Sequence, residues 1–175
     1  GHYEHVPEAV NSLIAGARET TADQMLAGVR FARDGAGNLL YTREGGHSAN
    51  RILYHADTTG KEIASRLFSR VRKLKNVHIR PYTSLVDILT DGKECAGGVL
   101  RDERTGEIAC AYADYVILAT GGVGGLYASS TNFPQLTGDG VAICLKHGVA
   151  VRDLDYVQIH PTTLYTKRRG RRFLI

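Results

Sequence analysis

The amino-acid sequence predicts an α/β fold with a parallel sheet, antiparallel hairpin strands and flanking helices. First, residues 115–119 form a continuous apolar run that ends in Thr-Gly-Gly, as expected for a strand buried on both faces of a parallel sheet. Second, a helix with one apolar face is predicted from Thr59 onward. Third, 43% of the 175 residues are apolar and there are 20 glycines against 4 prolines, which suits one folded domain with many tight turns.

Apolar spacing and turn chemistry define the elements in the first part of the chain. Residues 7–28 are predicted as two short helices, because a capping-box pattern at Thr21 and Gln24 divides them. Turn-forming residues at 34–38 then precede a short strand at 39–42.

A second capping box, Thr59 to Glu62, opens the helix whose apolar positions share one face. Four strands are predicted after it, and the last two form a hairpin that turns at residues 104–106. The four strands cover residues 77–80, 84–90, 98–101 and 108–111.

The last part of the chain combines one helix with short extended segments. The helix starts in the sequence TGDG at 137–140 and ends at Gly148. Strand-like segments at 149–152 and 156–159 then lead into a His-Pro-Thr sequence.

Positive charge is concentrated near the carboxyl terminus. The net charge is +4, but without five neighbouring basic residues the rest of the chain carries −1. These five are Lys167, Arg168, Arg169, Arg171 and Arg172. A short basic run without interleaved aromatic residues is typical of a solvated loop, so no nucleic-acid partner is expected. A noncatalytic nucleotide- or nucleic-acid-binding module stays the alternative from a different functional class.

The cysteines and the apolar runs predict the cellular compartment of the protein. Cys95, Cys110 and Cys144 are odd in number and widely spaced, with no CxxC pair and no histidine at metal-ligand spacing. This pattern predicts a reducing compartment, the cytoplasm, and no metal site. No apolar run approaches the roughly 20 residues of a membrane span, and no signal peptide is recognised, so no membrane association is expected.

Three motifs contain residues that could contact a ligand. Gly121 and Gly122 either let a bulky or phosphorylated ligand approach the backbone or form a tight turn. Asp139 either caps a helix or accepts hydrogen bonds from a sugar or ribityl hydroxyl. His160, oriented by the proline that follows it, is either structural or a donor to an anionic substrate group.

Six motifs follow one another along the chain. They are TREGGHS followed by RIL (42–53), HADTTG (55–60), ILATGG (117–122), Thr131-Asn132, TGDG (137–140) and QIHPTTLY (158–165). In this order they resemble the succinate dehydrogenase and fumarate reductase flavoprotein family. The resemblance implies the later part of a Rossmann-like FAD-binding domain over residues 1–154 and the truncated start of a capping domain over residues 155–175.

The resemblance also implies that the chain is an internal fragment. The family's amino-terminal GxGxxG and its catalytic arginine have no counterpart in these residues. We therefore expect no catalytic residue in this chain, and we expect the isolated chain neither to hold FAD tightly nor to turn over substrate.

Individual site residues follow from the same resemblance. It implies that the backbone of Ser84 and Leu85 meets the adenine end of non-covalently bound FAD. The full set of implied FAD contacts is Gly46, His47, Ser84, Leu85, Thr120, Gly121, Gly122 and Asp139. His160, together with Thr162, would bind a substrate carboxylate.

Glu44, within REGGHS, points to the branch of the family that oxidises L-aspartate. The resemblance implies that this glutamate faces the ammonium group of the substrate, and such a charge pair selects aspartate over succinate. The implied reaction gives iminoaspartate with oxygen or fumarate as electron acceptor, a step of NAD biosynthesis linked to quinolinate synthase. A fumarate reductase or succinate dehydrogenase flavoprotein stays an alternative, because ATGG, TGDG and HPT are shared across the family.

Overall fold

The structure, a computed structural model, describes residues 4–160, 162–167 and 171–173. It contains helices and sheets, in agreement with the predicted α/β class. The chain divides into two compact units, Gly1–Ile79 and Arg80–Ile175, which are described in turn.

The first unit begins with one long helix, α1 (Pro7–Leu26). The prediction of two short helices here was wrong. The Thr21 hydroxyl donates a hydrogen bond to the Ala17 carbonyl oxygen one turn earlier (2.8 Å), so it stays within the helix instead of capping a new one. The helix ends just before Gly28, which has a left-handed backbone with φ of +90°.

A two-stranded sheet and a second helix complete the first unit. Strand β1 (Tyr41–Thr42) pairs antiparallel with β2 (Ile52–Leu53), which confirms the second half of the strand predicted at 39–42. Helix α2 (Thr59–Val71) confirms the predicted amphipathic helix, but its predicted capping box is wrong. Thr58 occupies the N-cap position without a side-chain capping hydrogen bond, and the Thr59 hydroxyl oxygen instead accepts a hydrogen bond from the His55 N–H at 3.0 Å.

Glu62 on α2 anchors the segment that precedes β1. Val29 and Phe31 in this segment are 5% and 7% exposed. Between them, Arg30 donates from its backbone N–H (3.2 Å) and its Nε (3.3 Å) to Glu62 Oε1. Arg66 Nε donates to the same oxygen at 2.9 Å. The Arg66 guanidinium, helped by the Arg30 donors, lowers the pKa of Glu62 from 4.5 to about 2.

An antiparallel sheet dominates the second unit. Its strands are β3 (Thr83–Asp91), β4 (Glu94–Asp102) and β5 (Ile108–Tyr112), in that spatial order. Three of the four strands predicted for this region, including the final hairpin, are thereby confirmed.

The β4–β5 hairpin turns at the predicted residues because Asp102 holds them. Its Oδ1 atom accepts hydrogen bonds from the backbone N–H groups of Arg104 (2.8 Å) and Thr105 (3.0 Å). Gly106 then takes a left-handed conformation with φ of +77°. The Thr105 and Arg104 amides lower the pKa of the Asp102 carboxyl group.

Helix α3 (Asp139–Lys146) follows a short 3₁₀ turn at Gly124–Leu126. It confirms the helix predicted to start in TGDG, and Gly148, with φ of +69°, follows its end as expected. The side chain of Ile143 is 6% exposed and packs on the inner side of the helix.

The apolar run at residues 115–119 is not a strand in this structure, contrary to prediction. Tyr115 and Ile117 are 88% and 90% exposed, and both sheets of the described residues are antiparallel. A strand buried on both faces needs a neighbour on each side, and the described part of the chain provides none for this run. The same lack of a partner strand accounts for the wrong strand predictions at 77–80, 149–152 and 156–159.

Candidate functional site

A cavity of about 240 Å³ in the second unit lies between the start of β3 and the start of α3. Four of the predicted cofactor residues line it, namely Ser84, Leu85, Thr120 and Asp139. They are far apart in sequence, and the packing of α3 against β3 brings them together.

Two glycines allow the loop after residue 119 to approach the first turn of α3. A Cβ atom on Gly140 would lie 2.2 Å from Thr120 Oγ1, and one on Gly138 would lie 2.6 Å from Val123 Cγ1. Gly138 is also left-handed, with φ of +77°. The TGDG sequence is therefore needed by the local packing, independently of any ligand.

Asp139 is not the cap of α3. Gly138 occupies the N-cap position, and no side-chain capping hydrogen bond forms there. Asp139 Oδ1 instead accepts a hydrogen bond from Thr137 Oγ1 at 3.0 Å. A carboxylate has room for several donors, so Asp139 can also accept a hydrogen bond from a hydroxyl group in the cavity.

A second cavity, of about 370 Å³, shares Ser84, Leu85 and Asp139 with the first and adds Arg101 and Glu103. Arg101 is the cross-strand partner of Ser84. The sequence predicts neither of the two added residues as a site residue. Arg101 lines the cavity because of the register of β4 against β3, which the local pattern of β4 does not contain.

An ionic cluster holds the carboxyl end of α3 on β3. His147 Nε2 lies 2.7 Å from Asp87 Oδ1, and Lys146 Nζ donates to Asp87 Oδ2. Lys146 first, and then His147, lower the pKa of Asp87 from 3.8 to about 2. No motif in the sequence pointed to this cluster.

The glycine pair after the apolar run has two different environments. Gly121 has φ of +77°, and a Cβ atom there would lie 2.8 Å from Leu136 Cδ2, which favours its interpretation as a tight turn. A Cβ atom on Gly122 would meet nothing within 4 Å, so open space adjoins this residue.

His160 lines a third cavity, of about 330 Å³, together with Asn132, Thr163 and Arg172. Its Nδ1 atom lies 2.7 Å from the Thr162 carbonyl oxygen and 3.2 Å from the Thr162 amide nitrogen. The backbone of Thr162 thus orients the imidazole ring. If Nδ1 donates to the carbonyl oxygen, Nε2 is the ring atom left to interact with a ligand.

Three residues of the basic run are described, namely Lys167, Arg171 and Arg172. Arg171 Nε donates to the Thr131 carbonyl oxygen at 2.7 Å, and its guanidinium lies 4.5 Å from the centroid of the Phe133 ring. Arg171 is therefore fixed against the chain although it is exposed. Three other residues used in the sequence predictions, Pro161, Arg168 and Arg169, lie outside the described residues.

Glu44, Gly46 and His47 form a turn in the first unit. The His47 N–H donates to the Glu44 carbonyl oxygen at 3.1 Å, and the Glu44 N–H donates to His47 Nδ1 at 3.3 Å. Gly46 supplies the left-handed conformation, with φ of +81°. Glu44 is exposed, so a ligand can reach its carboxylate.

Within residues 4–160, 162–167 and 171–173, no group of three or more His, Cys, Asp or Glu residues is arranged to hold a metal ion. None of the helices described there is long and apolar enough to cross a membrane. Cys95, Cys110 and Cys144 are free thiols.

Comparison of the sequence with known proteins finds L-aspartate oxidases among the relatives. The L-aspartate oxidase of Clostridium acetobutylicum is 38% identical over 100% of this chain and 40% of its own length. The L-aspartate oxidase of Mycobacterium tuberculosis is 40% identical over 95% of this chain and 31% of its own length. The chain thus spans about two fifths or less of these relatives.

Comparison of the fold finds flavoproteins of the fumarate reductase type. The FrdA chain of E. coli quinol fumarate reductase matches with a TM-score of 0.86 at 30% identity, over 90% of this chain and 27% of its own. A flavocytochrome c3 fumarate reductase, at 23% identity, shares the fold with a TM-score of 0.77 over 92% of this chain and 29% of its own. The sequence profile of the FAD binding domain family matches residues 2–175. The chain therefore belongs to the FAD binding domain family, with its Rossmann-like α/β fold and its FAD cofactor.

Proposed function

We propose that the protein containing this chain oxidises L-aspartate to iminoaspartate, with FAD as cofactor and oxygen or fumarate as electron acceptor. The observation that carries this proposal is the 38% identity to an L-aspartate oxidase along the whole chain. Because the chain spans 40% of that relative, the activity is assigned to the complete protein.

The residues around the cavity between β3 and α3 fit one part of a FAD molecule. The cavity, of about 240 Å³, is polar where Thr120 and Asp139 line it, which suits a ligand rich in hydroxyl groups. It is smaller than a typical small-molecule site of roughly 300–1,000 Å³, so it suits a portion of the cofactor. Bound FAD supplies a ring that accepts a hydride. The backbone of Ser84 and Leu85 is proposed to meet the adenine end, and Gly122 has open space for a close approach.

The charged groups of L-aspartate are proposed to bind at Glu44, His160 and Thr162. The His160 imidazole would donate to one carboxylate, supported by Thr162, and Arg172 adds a cation to the same cavity. Glu44 would pair with the ammonium group, which succinate lacks. FAD is proposed to contact Gly46 and His47, which lie beside Glu44 in the same turn.

The proposed reaction places the protein in NAD biosynthesis. Its iminoaspartate product would be used together with quinolinate synthase. The cytoplasm is the proposed location, since free thiols suit a reducing compartment. We also propose that the later part of the FAD-binding domain covers residues 1–154 and that residues 155–175 are the start of a capping domain.

The test is an anaerobic titration of the flavin absorbance of the complete protein, with L-aspartate and, in parallel, succinate. Bleaching of the oxidised flavin by L-aspartate alone is expected. Glu44→Gln is expected to lower kcat/KM for L-aspartate roughly 10- to 100-fold while fumarate reduction is retained, because only the amine loses its charged partner.

The other outcomes of this titration identify the alternatives. Bleaching by succinate alone would assign the protein to the fumarate reductase or succinate dehydrogenase branch, which the fold similarity to E. coli FrdA makes the second candidate. Absence of bound flavin would contradict the proposal and leave a noncatalytic binding module.

A further inference from the structure

Strand β3 contains a β-bulge beside the residues proposed to meet the adenine end of FAD. Leu85 pairs with Leu100 and Asp87 pairs with Val99, so Val86 is an extra residue on β3. A bulge bends its strand and redirects the neighbouring side chain. The residue that directly follows the extra residue here is Asp87.

Asp87 connects β3 to the carboxyl end of α3. Its Oδ1 atom lies 2.7 Å from His147 Nε2 and accepts a hydrogen bond from the Ile88 N–H at 3.0 Å. Its Oδ2 atom accepts from Lys146 Nζ. The Asp87 and His147 side chains are 22% and 20% exposed, so solvent screens this contact less than it screens a surface ion pair.

The opposite end of α3 forms a wall of the proposed cofactor cavity. α3 has eight residues and is therefore about 12 Å long. Its first residue, Asp139, lines this cavity together with Ser84 and Leu85. Because an eight-residue helix is stiff, a shift of its last turn away from β3 would tilt the helix and also displace Asp139.

We infer that Asp87 is a positioning residue for FAD, which fixes α3 on β3 and so sets the gap between Asp139 and the backbone of Ser84 and Leu85. Asp87 acts through the helix and does not touch the cofactor. This inference rests on the proposed placement of FAD in the cavity between β3 and α3.

The test compares FAD affinity in the apo form of the complete protein, measured by quenching of flavin fluorescence. Asp87→Asn is expected to raise the Kd for FAD by at least roughly 10-fold, since small displacements of a binding group are costly. Asp87→Glu retains the carboxylate and is expected to recover most of the affinity. A Kd for Asp87→Asn within about twofold of wild type would overturn the inference.

The matched control is Glu62→Gln. It removes the partly buried ion pair between Glu62 and Arg66 in the first unit. It is expected to lower the Tm but to leave the Kd for FAD within about twofold. An equal rise of the Kd in Asp87→Asn and Glu62→Gln would show a general loss of stability and overturn the positioning role.

A second variant covers the case in which Asp87→Asn does not fold. His147→Gln removes one contact to Asp87 and keeps the Lys146 pair, and a rise of about threefold in the Kd is expected. No rise would overturn the inference.

The same measurement distinguishes failure of the proposed function from failure of the positioning role of Asp87. A wild-type protein that binds no FAD contradicts the proposed function, whereas equal binding by wild type and variants contradicts the role of Asp87.

Discussion

Of the two glycines in the cavity between β3 and α3, Gly140 leaves less room for a side chain. A Cβ atom there would lie 2.2 Å from Thr120 Oγ1. We expect Gly140→Ala to displace Thr120 and to lower the free energy of unfolding by about 1–3 kcal/mol, as overpacking does elsewhere. Gly122→Ala is the control, because its Cβ would meet nothing within 4 Å, and a change within about 0.5 kcal/mol is expected. Urea unfolding measures both values, and similar losses in the two variants would contradict the packing argument.

At the scale of elements, Asp87 makes the attachment of α3 to β3 dependent on pH. Hydrogen bonds from Lys146 and then His147, at the carboxyl end of α3, lower its pKa from 3.8 to about 2. Since the ionised carboxylate is favoured in the folded state, its contribution is complete above about pH 4 and is lost as the pH falls toward about 2. Below about pH 4, the difference in free energy of unfolding between wild type and Asp87→Asn is expected to shrink as the carboxylate is protonated. Urea unfolding over a pH series measures this difference, and a difference that grows as the pH falls from about 4 toward about 2 would refute the assignment.

The elements also show which features the sequence could predict. Helix α2 could be predicted from the helical spacing of its apolar residues. The β4–β5 hairpin could be predicted from the turn residues that Asp102 holds. Motifs likewise identified Thr120 and Asp139, which the packing of α3 brings into one cavity. Arg101, in contrast, lines the cavity of about 370 Å³ because it pairs with Ser84 across the strands. This pairing depends on strand register, which a local sequence pattern does not contain.

At the scale of the whole molecule, the apolar run at 115–119 is the segment whose exposure is least expected for a folded α/β protein. Tyr115 and Ile117 are 88% and 90% exposed, whereas apolar runs of this kind in α/β proteins are buried strands. The chain spans 40% of an L-aspartate oxidase to which it is similar over its whole length. We therefore expect residues 115–119 to be covered by parallel strands in the complete protein.

Ile117→Asp tests this expectation in the complete protein. A charge placed in a strand buried on both faces has no partner and is poorly solvated, so we expect a loss of at least about 3 kcal/mol in the free energy of unfolding. Lys93→Asp, in the exposed turn between β3 and β4, is the control and is expected to change it by less than about 0.5 kcal/mol. Urea unfolding of the two variants gives the comparison. If Ile117→Asp lowered the free energy of unfolding as little as Lys93→Asp does, residues 115–119 would be an exposed segment in the complete protein as well. That result would contradict the expected parallel strand.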